Sequence, residues 1–384
     1  MNARRVIAVA YKEWREILRD RLFFTLAFVL PTMFMLLFGY GLSLDVENVP
    51  FAVVDDDRTA ASRDYAYRFI DSRYFDFQGY AANTRALDPL LRDNRIRVAI
   101  VIPARFEENL LAGRAAHVQT LIDGTLPARA ATTKGYVGAI NAAASREQLA
   151  AYLASRRGLS PEAARNRVEP VRLEVRYLYN QSLTSLHSLA PKLIMLILMF
   201  VPPLLTAVGV VREKESGSIY NIYASTVSRG EFLAGKLAPY VAISAVNVVI
   251  LALIATQIFG APFKGSLAFF CVASVLFVAC TTAIGLLVSL LVRTQLAATL
   301  VTVILTLVPA LDYSGFFMPI ASLSPEGQVE AHLLPAMYYT NIVVGSFLKG
   351  VGLETLWVEL VVLAGYTLAL FSAGYFLFSK RPRA

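Results

Sequence analysis

The stretch from Gly230 to Lys236 has the residue types and spacing of a phosphate-binding loop. It reads GEFLAGK, in which backbone N–H groups and the lysine could bind the phosphates of a nucleotide. The next residue is Leu237, however, where Ser or Thr must reach magnesium, and no buried apolar strand precedes Gly230. We therefore expect no nucleotide site here. Because the sequence offers no other candidate loop, we expect no ATPase activity in this chain.

Three consecutive aspartates, Asp55 to Asp57, could offer carboxylate oxygens to a hard cation. They follow a predicted strand, Val49–Val54, and precede a predicted helix that starts near Thr59. Aspartates in that position commonly end a strand and cap a helix, and Arg58 and Arg63 would offset their charge. We favour the capping interpretation, with the cation site as the alternative.

Histidine and cysteine offer little further chemistry. His117, His187 and His332 are far apart and fall in different segments, so we expect no metal or catalytic cluster. Cys271 and Cys280 lie in one apolar stretch, where a helix would separate them by about 13 Å, beyond the reach of a disulfide. Neither a disulfide nor a zinc site is predicted.

The elements that carry these residues are mostly membrane spans. Of the 384 residues 56% are hydrophobic and 17% are charged, which is too apolar for an ordinary soluble protein. A bilayer core of about 30 Å requires about 20 apolar helical residues. Uncharged runs near that length occupy residues 22–44, 193–211, 237–259, 266–292, 294–311 and 360–379. The predicted fold class is an α-helical polytopic membrane protein with about six transmembrane helices.

Lysine and arginine are concentrated on one side of these predicted spans. The residues concerned are Arg4, Arg5, Lys12, Arg15, Arg19, Arg21, Arg212, Lys214, Arg229, Lys236, Arg293, Lys380, Arg381 and Arg383. By the positive-inside rule that side is cytoplasmic, so both termini are cytoplasmic and residues 45–188 are extracytoplasmic. The excess of 36 Lys and Arg over 28 Asp and Glu is then largely topogenic, and we expect no nucleic-acid partner.

Residues 1–21, which precede the first span, have the pattern of an amphipathic helix. Apolar residues recur at helical spacing, with charged residues elsewhere around the wheel: Val6, Val9, Ala10, Trp14, Ile17 and Leu18. This pattern predicts a cytoplasmic interfacial helix in contact with membrane lipids. It could be a simple topogenic anchor or a surface that contacts a partner.

Residues 45–188 have the pattern of an α/β domain inserted between the first and second spans. Strands are predicted at 49–54, 74–80, 97–102, 118–122 and 171–178, and helices at 62–71, 84–93, 104–115 and 128–156. Residues 189–384 would carry transmembrane helices 2–6. An inserted domain of this class says little by itself about function.

The most informative stretch lies between the second and third spans, at residues 211–240. It reads VREKESGSIYNIYASTVSRGEFLAGKLAPY, with charges of alternating sign at the end of a span. Gly217 permits a sharp turn, Ser228 and Glu231 have the spacing of a capping box, and residues 218–224 could form a short amphipathic helix. On these features alone, a solvated loop with membrane-flanking charges explains the stretch equally well.

These residues resemble a known family. Arg-Glu-Lys-Glu, one residue and Gly-Ser, followed by Val-Ser-Arg-Gly-Glu and Gly-Lys-Leu, look like the signature of permease subunits of type-two ATP-binding-cassette (ABC) exporters. A second stretch agrees, where SGFFMPI at 314–320 leads to Leu334-Pro335, Tyr338-Tyr339 and then FLKG at 347–350. The resemblance covers essentially the whole chain and is to the multidrug-exporter-like class with a large external domain.

The resemblance implies a permease in the bacterial cytoplasmic (inner) membrane that is not itself an enzyme. It binds no cofactor, and a separate ABC ATPase subunit binds ATP and magnesium. That subunit would dock on the coupling loop at 212–236 and on the N-terminal helix. The implied contact residues are Arg212, Glu213, Lys214, Glu215, Gly217 and Ser218, with Trp14 and Arg15. A second permease copy or close homologue would complete the pathway, and a periplasmic adaptor is a further candidate partner.

The resemblance also implies an external re-entrant segment at residues 312–354 that closes the outer end of the pathway. Its expected gate residues are Gly315, Phe316, Phe317 and Pro319. Apolar residues of the first two spans could line an adaptable path for a drug-like or lipid-like substrate: Phe34, Met35, Phe38, Met195, Met199 and Phe200. Such residues more often face lipid or neighbouring helices.

The predicted spans contain almost no charges, so a proton-driven carrier would lack an obvious relay. Energy must then enter through a cytoplasmic surface, as in an ATP-driven exporter. One alternative is a membrane-anchored sensor or scaffold whose external domain binds a ligand or partner. Another is an intramembrane enzyme, but Asp312, Glu326, Glu330 and His332 are better interpreted as a polar external turn.

Overall fold

The computed structural model describes residues 2–42, 45–169, 175–218 and 226–378. The chain divides into two compact units, Met1–Leu44 with Tyr177–Ala384, and Asp45–Arg176. The second boundary lies at Arg176 instead of residue 188. Residues 177–184 belong with the helical unit because Lys264 Nζ donates to the carbonyl of Tyr179 at 3.1 Å, and the Asn180 amide donates to that of Thr184.

Two helices precede the inserted unit. Helix α1 (Ala3–Arg19) begins at Asn2, whose side chain accepts the N–H of Arg4. It ends at Asp20, which also caps the next helix by accepting the N–H groups of Leu22 and Phe23. That helix, α2 (Arg21–Gly41), includes a π-helical turn at Thr25–Val29. One aspartate therefore separates an amphipathic helix from an apolar one.

The inserted unit contains a four-stranded mixed sheet. Its elements are β1 (Val49–Asp55), α3 (Ala60–Ile70), β2 (Phe75–Tyr80), α4 (Leu87–Arg92), β3 (Val98–Ile102), α5 (Phe106–Leu111), β4 (Gln119–Ile122), α6 (Pro127–Arg157) and α7 (Pro161–Val168). The strand order is β2-β1-β3-β4, in which β1 pairs parallel with β2 and β3, and β4 is antiparallel to β3. Because β1 and β3 are central, their apolar runs are buried on both faces.

The four strands begin and end within about two residues of their predicted positions, but the strand predicted at 171–178 differs. Residues 171–174 lie outside the described residues, and 175–178 form no strand. Val175, Tyr177 and Leu178 are each at least half exposed, so their alternation buries no face of a sheet. Helix α7 has no counterpart in the sequence-based assignment.

Within the described residues, seven further helices follow the inserted unit. They are α8 (Ser185–Glu215), α9 (Arg229–Ile258), α10 (Leu267–Leu291), α11 (Gln295–Tyr313), α12 (Pro325–His332), α13 (Pro335–Val344) and α14 (Leu353–Leu377). Within the described ranges, six helices are long and apolar enough to cross a membrane: α2, α8, α9, α10, α11 and α14. They correspond to the six apolar runs of the sequence.

Helix α8 is the central helix of its unit. Nearly every residue from Leu189 to Val211 is buried, and the helix packs against α2, α9, α10, α11 and α13. Helices that are apolar all round belong in such a position. Pro202 and Pro203 lie inside it, and Gly285 of α10 packs on this point, where an added Cβ would lie 2.3 Å from the carbonyl oxygen of Pro203.

The segment between α11 and α14, predicted as a re-entrant element, consists of short helices. A 3-10 turn at Ile320–Ser322 and helix α12 precede α13, which continues as a π-helical turn at Gly345–Lys349. Helix α13 packs against α8, α10 and α14. Tyr339 of α13 stacks on Phe277 with ring centroids 4.1 Å apart, and its hydroxyl lies 2.7 Å from that of Ser274.

Candidate coupling site

Four charged residues of alternating sign, Arg212 to Glu215, end helix α8. Successive residues of a helix point about 100° apart, so these four side chains face different neighbours. Arg212 Nη1 lies 2.5 Å from Asp20 Oδ2, in the junction between α1 and α2, and its guanidinium lies 5.2 Å from the ring centroid of Phe23. The first of the four residues thus ties α8 to the N-terminal helices.

Lys214 and Glu215 connect α8 to two other helices. Lys214 Nζ donates to the carbonyl of Ser289, near the end of α10. The Glu215 carboxylate accepts the backbone N–H of Gln295 at 2.8 Å and its side-chain amide. Because Gln295 is the first residue of α11, this carboxylate also lies at the positive end of a helix dipole.

Glu213 lies in a cluster that we call the charged hub, formed by Lys12, Glu13, Glu213, Lys236 and Tyr240, all of which except Lys12 are buried. Its Oε1 accepts from Lys12 Nζ at 2.6 Å, and its Oε2 lies 2.8 Å from Lys236 Nζ. Lys236 Nζ also donates to Glu13 Oε2 at 2.7 Å, and the Tyr240 hydroxyl donates to Glu13 Oε1. The exposed fractions of Glu13, Glu213 and Lys236 are 3%, 5% and 1%.

The hub contains two carboxylates and two ammonium groups, so its formal charge is balanced. Burial raises the pKa of Glu13, the ion pair with Lys236 opposes this rise, and the nearby Glu213 carboxylate adds to it. Burial lowers the pKa of Lys12, but its hydrogen bond to Glu213 and the negative charge there raise it above the usual value. Removing one partner of such a cluster leaves a buried charge uncompensated.

Three acidic side chains, Glu13, Glu16 and Glu213, have carboxylate oxygens within 4.8 Å of one another. A cation could bind such a group, but Lys12 and Lys236 already lie between these carboxylates as counterions. The chemistry of the donor set therefore fits an internal ion-pair network better than a metal site.

The residues that resembled a phosphate-binding loop have a different use. Gly230 to Lys236 lie inside α9 and do not form a loop. A Cβ on Gly235 would lie 2.8 Å from the carbonyl oxygen of Val6, so this glycine permits close approach of α1. Lys236 enters the hub, and Glu231 completes the predicted capping box with Ser228.

Glu231 also accepts the backbone N–H of Asn2 at 2.6 Å, which fixes the start of α1 on α9. A second close approach occurs at Gly209 of α8, where a Cβ would lie 2.0 Å from the Tyr240 hydroxyl. Lys12, Glu13 and Tyr240 are not among the contact residues expected from the sequence, and Lys236 is expected only as the last residue of the coupling loop at 212–236. The local signal for this packing is the Gly235–Lys236 pair.

The outer face of α1 and the turn after α8 remain accessible. Ile7, Tyr11, Trp14 and Leu18 recur at helical spacing and form an exposed apolar stripe. A groove of about 830 Å³ between α1 and the end of α8 is lined by residues that include Arg15, Arg19, Arg212, Ser216 and Ser218. Gly217 turns the chain with φ at +74°. Beyond Ser218, the predicted helix at 218–224 lies outside the described residues.

A family model described as "ABC-2 family transporter protein" matches residues 22–376. The chain belongs to the ABC-2 transporter family. The resemblance to type-two ABC permeases is therefore confirmed, and the apolar helices α2, α8, α9, α10, α11 and α14 agree with a membrane subunit of that family.

Three curated relatives of this ABC-2 chain have similar lengths. "Probable multidrug ABC transporter permease YbhS" of Escherichia coli K12 is 29% identical over 352 residues, or 91% of the chain and 90% of the relative. YbhR, which carries the same description in that organism, is 25% identical over 354 residues, or 92% of each. "Inner membrane transport permease YhhJ" is 24% identical over 381 residues, or 99% of the chain and 98% of the relative.

The residues that the sequence assigned to a substrate path lie in the interior of this ABC-2 chain. Met35, Met195, Met199 and Phe200 are buried, and Phe34 stacks on Phe200 with ring centroids 6.0 Å apart. Phe34 also contacts Phe38 edge to face. The residues from α2 therefore pack against those from α8, as Phe34 does on Phe200.

The residues expected at the external gate follow α11 directly. Gly315 has φ at +82°, a left-handed conformation that favours glycine. Phe316 is buried, Phe317 is about half exposed, and Pro319 is exposed. Phe316 packs edge to face on Phe317, and its carbonyl accepts a hydrogen bond from Lys192 Nζ of α8 at 3.0 Å.

The aspartate triplet of the inserted unit lies at the end of β1 as predicted, but the predicted cap of α3 is wrong, because Thr59 caps that helix by accepting the N–H of Ser62. Asp55 accepts the N–H groups of Asp57 and Arg58 and the hydroxyl of Ser62. Asp57 accepts the Thr59 hydroxyl at 2.6 Å. It also accepts the N–H groups of Phe106 and Glu107, each at 3.0 Å, at the start of α5. Their oxygens therefore bind protein donors within this unit.

Proposed function

We propose that this ABC-2 chain is the membrane subunit of an ATP-driven exporter and that a separate ABC ATPase subunit supplies the energy. In this proposal the hub end of α8 and both termini face the bacterial cytoplasm, and residues 45–176 lie outside. Basic residues near that end, including Lys12, Arg15, Arg19 and Arg212, support the orientation. The membrane class itself follows from the family.

The observation that carries the proposal is the set of four contacts at the end of α8. Arg212, Glu213, Lys214 and Glu215 tie this helix to α1 and α9, to the α1–α2 junction, and to α10 and α11. A force applied to the loop after Ser216 would therefore move several helices together. Interior packing transmits such a displacement because packed cores resist continuous deformation.

We divide the predicted contact residues into two groups. Glu213, Lys214 and Glu215 bind other parts of this chain, so we assign them the transmission of movement within the subunit. Trp14 and Arg15 are exposed on α1, and Gly217 and Ser218 are half-buried in the turn after α8. We assign the second group to direct contact with the ATPase subunit.

The proposed cargo is an amphipathic drug-like or lipid-like molecule, since two relatives are named probable multidrug permeases. Six helices would form half of a pathway, with a second copy or homologue supplying the rest. Helix α2 has an exposed apolar face that includes Met33, Leu37 and Tyr40. We propose that this face contacts lipid or the second copy, and that residues 315–319 close the outer end.

The test is a gentle detergent purification of the full chain from its native membrane, with co-purifying proteins identified and ATP turnover measured. We expect a stoichiometric ATPase subunit, and we expect the double variant Trp14→Ala/Arg15→Glu to lose it. The matched control is Arg165→Glu, an equally exposed arginine on α7 in the inserted unit. Undiminished binding by the double variant would contradict the assigned contacts, and a chain purified alone and inactive would favour the sensor alternative.

A further inference from the structure

Lys192 makes an unusual contact at the end of α8 opposite the charged hub. Its ammonium group donates to the backbone carbonyl of Phe316. Phe316 lies in residues 315–319, which we call the segment after α11. The two residues are 124 positions apart in the sequence, so the bond joins separate parts of the fold. The phenyl ring of Phe316 is only 1% exposed, so the segment is seated on the helical unit where the lysine holds it.

The partner of this lysine is a neutral group. Within the described residues, no carboxylate lies within 4 Å of Lys192 Nζ, whereas Lys236 at the hub contacts two. Cations in membrane helices usually pair with an acid or reach the interface. A charge-assisted hydrogen bond to a carbonyl is strong, but water can replace the carbonyl once the site is wetted, so such a contact is suited to release.

Helix α8 connects this contact to the hub. Lys192 and Glu213 are 21 residues apart in one helix, about 32 Å along its axis. Between them, Pro202 and Pro203 lack the N–H groups that would bond the carbonyls of the preceding turn, a common origin of helix bending. A displacement of the hub end can therefore alter the position of Lys192 relative to Phe316.

We propose that the bond between Lys192 and the Phe316 carbonyl is a latch that keeps the segment after α11 closed, and that movement of α8 releases it. Lys192 is then a positioning residue, because it acts through the backbone of the segment. The release step rests on the proposed export function. The closed-state role of the bond does not, and the two can be tested separately.

The test measures how readily the latched segment opens in the full-length chain. Ser314 is 1% exposed and immediately precedes the segment, so Ser314→Cys, in a Cys271→Ser/Cys280→Ser background, places a thiol there. Its rate of modification by a water-soluble maleimide in detergent reports opening. Lys192→Met and Lys192→Gln should raise this rate by about tenfold, because the charge-assisted donor is lost. Lys192→Arg keeps a charged donor, so its modification rate should stay near that of the parent protein.

The matched control is Lys264→Met. Lys264 also donates to a backbone carbonyl, that of Tyr179 at 3.1 Å, and its backbone N–H donates to the carbonyl of Ser346, so these hydrogen bonds do not involve residues 315–319. The latch proposal is refuted if the thiol at position 314 is modified at the parent rate in Lys192→Met and Lys192→Gln. It is also refuted if Lys264→Met raises the modification rate as much as these variants do. If the parent rate rises with the ATPase subunit and a non-hydrolysable ATP analogue, release by coupling is supported. If the parent rate does not rise under these conditions while Lys192→Met is modified rapidly, the closed-state role of the bond is supported and its release by export coupling is refuted.

Discussion

Two groups of acidic residues in this chain satisfy their charge in opposite ways. In the charged hub, Glu13 and Glu213 are buried and share Lys236 as counterion, although Glu13 is distant in the sequence from the other two residues. In the inserted unit, Asp55 and Asp57 are two positions apart in the sequence and accept mostly backbone N–H groups and hydroxyls. Removing one partner of a buried ion pair strongly lowers the free energy of unfolding, whereas a helix cap at the surface contributes to it about as much as one hydrogen bond.

A group of charged residues that is conspicuous in the sequence need not be the one that contributes most to the fold. Three consecutive aspartates stand out as a candidate cation site, yet the carboxylates of Asp55 and Asp57 accept hydrogen bonds from protein donors. The hub connects three helices, and no single segment of the sequence contains all of its residues. Charges that are isolated in the sequence of a membrane protein therefore merit attention as partners of one another.

The largest expected effect comes from removing the shared counterion. Lys236→Met leaves the carboxylates of Glu13 and Glu213 buried without it, and we expect a loss of about 3–5 kcal/mol, measured as a lower midpoint of thermal unfolding in detergent. Adding Glu13→Gln to this variant should recover part of the loss because one buried charge disappears. Lys134→Met, at an exposed lysine of α6, is the control. An unchanged midpoint for Lys236→Met would refute the energetic importance of the hub.

A smaller effect is expected from disturbing the hub by shape alone. Gly209→Ala would place a Cβ 2.0 Å from the Tyr240 hydroxyl, so Tyr240 must move away from Glu13. Overpacking of this kind costs about 1–3 kcal/mol. Gly365→Ala in α14 has no atom within 4 Å of its added Cβ and should be neutral or slightly stabilising. Equal unfolding midpoints for the two variants would show that α8 and α9 adjust without strain.

Local patterns in the sequence were sufficient for part of this structure. The apolar runs predicted the six helices of the described residues that are long and apolar enough to cross a membrane, and Ser228 with Glu231 predicted the capping box of α9 because a cap depends on residues three positions apart. The hub could not be predicted in the same way. Its bonds between α1 and the other two helices join residues more than 200 positions apart, as with Glu13 and Lys236, and only tertiary packing brings these residues together.

The strand predicted at 171–178 shows the other limit of local patterns. Alternating apolar and polar residues indicate that a segment could bury one face in a sheet. Whether a sheet edge is free to pair with that segment depends on other parts of the chain. Residues 175–178 have alternating side chains and remain exposed. Period-two patterns at the end of a domain are therefore weaker predictors than those between two other strands.

The aspartate triplet allows a prediction within three adjacent residues. Asp57→Ala removes the acceptor for the N–H groups of Phe106 and Glu107 and for the Thr59 hydroxyl, and should cost about 1–2 kcal/mol. Asp56→Ala, at the exposed middle position, should cost less than about 0.5 kcal/mol. The measurement is urea unfolding followed by proteolysis of the inserted unit in the full chain. Equal losses would contradict the capping role.

The pKa of Asp57 shifts in the direction opposite to that of Glu13 in the hub. Burial opposes the shift, but the Thr59 hydroxyl and the two N–H groups lower the pKa of Asp57 below its usual 3.8. Its contribution is therefore present above pH 3.8 and is lost as the pH falls through the lowered pKa. The pKa of Glu13 is raised above 4.5, so its ionisation weakens the fold as the pH rises from 4.5 through the raised value. The difference between the parent and Asp57→Ala should disappear in acid, and a difference that persists there would contradict the assigned shift.

The smallest expected effect is at Asp20, which combines the two ways of satisfying an acid. Its carboxylate pairs with Arg212 of α8 and also caps α2 through the N–H groups of Leu22 and Phe23. Asp20→Asn keeps a good cap and loses only a partly exposed ion pair, so we expect at most about 0.5–1 kcal/mol. Asp20→Ala loses the cap as well and should cost about 1 kcal/mol more. Thermal unfolding of both variants at low and high salt separates the contributions, because salt screens the ion pair and leaves the cap unchanged. A loss for Asp20→Asn as large as that for Lys236→Met would mean that this exposed pair behaves as a member of the hub, and the division between buried network and surface cap would fail at this residue.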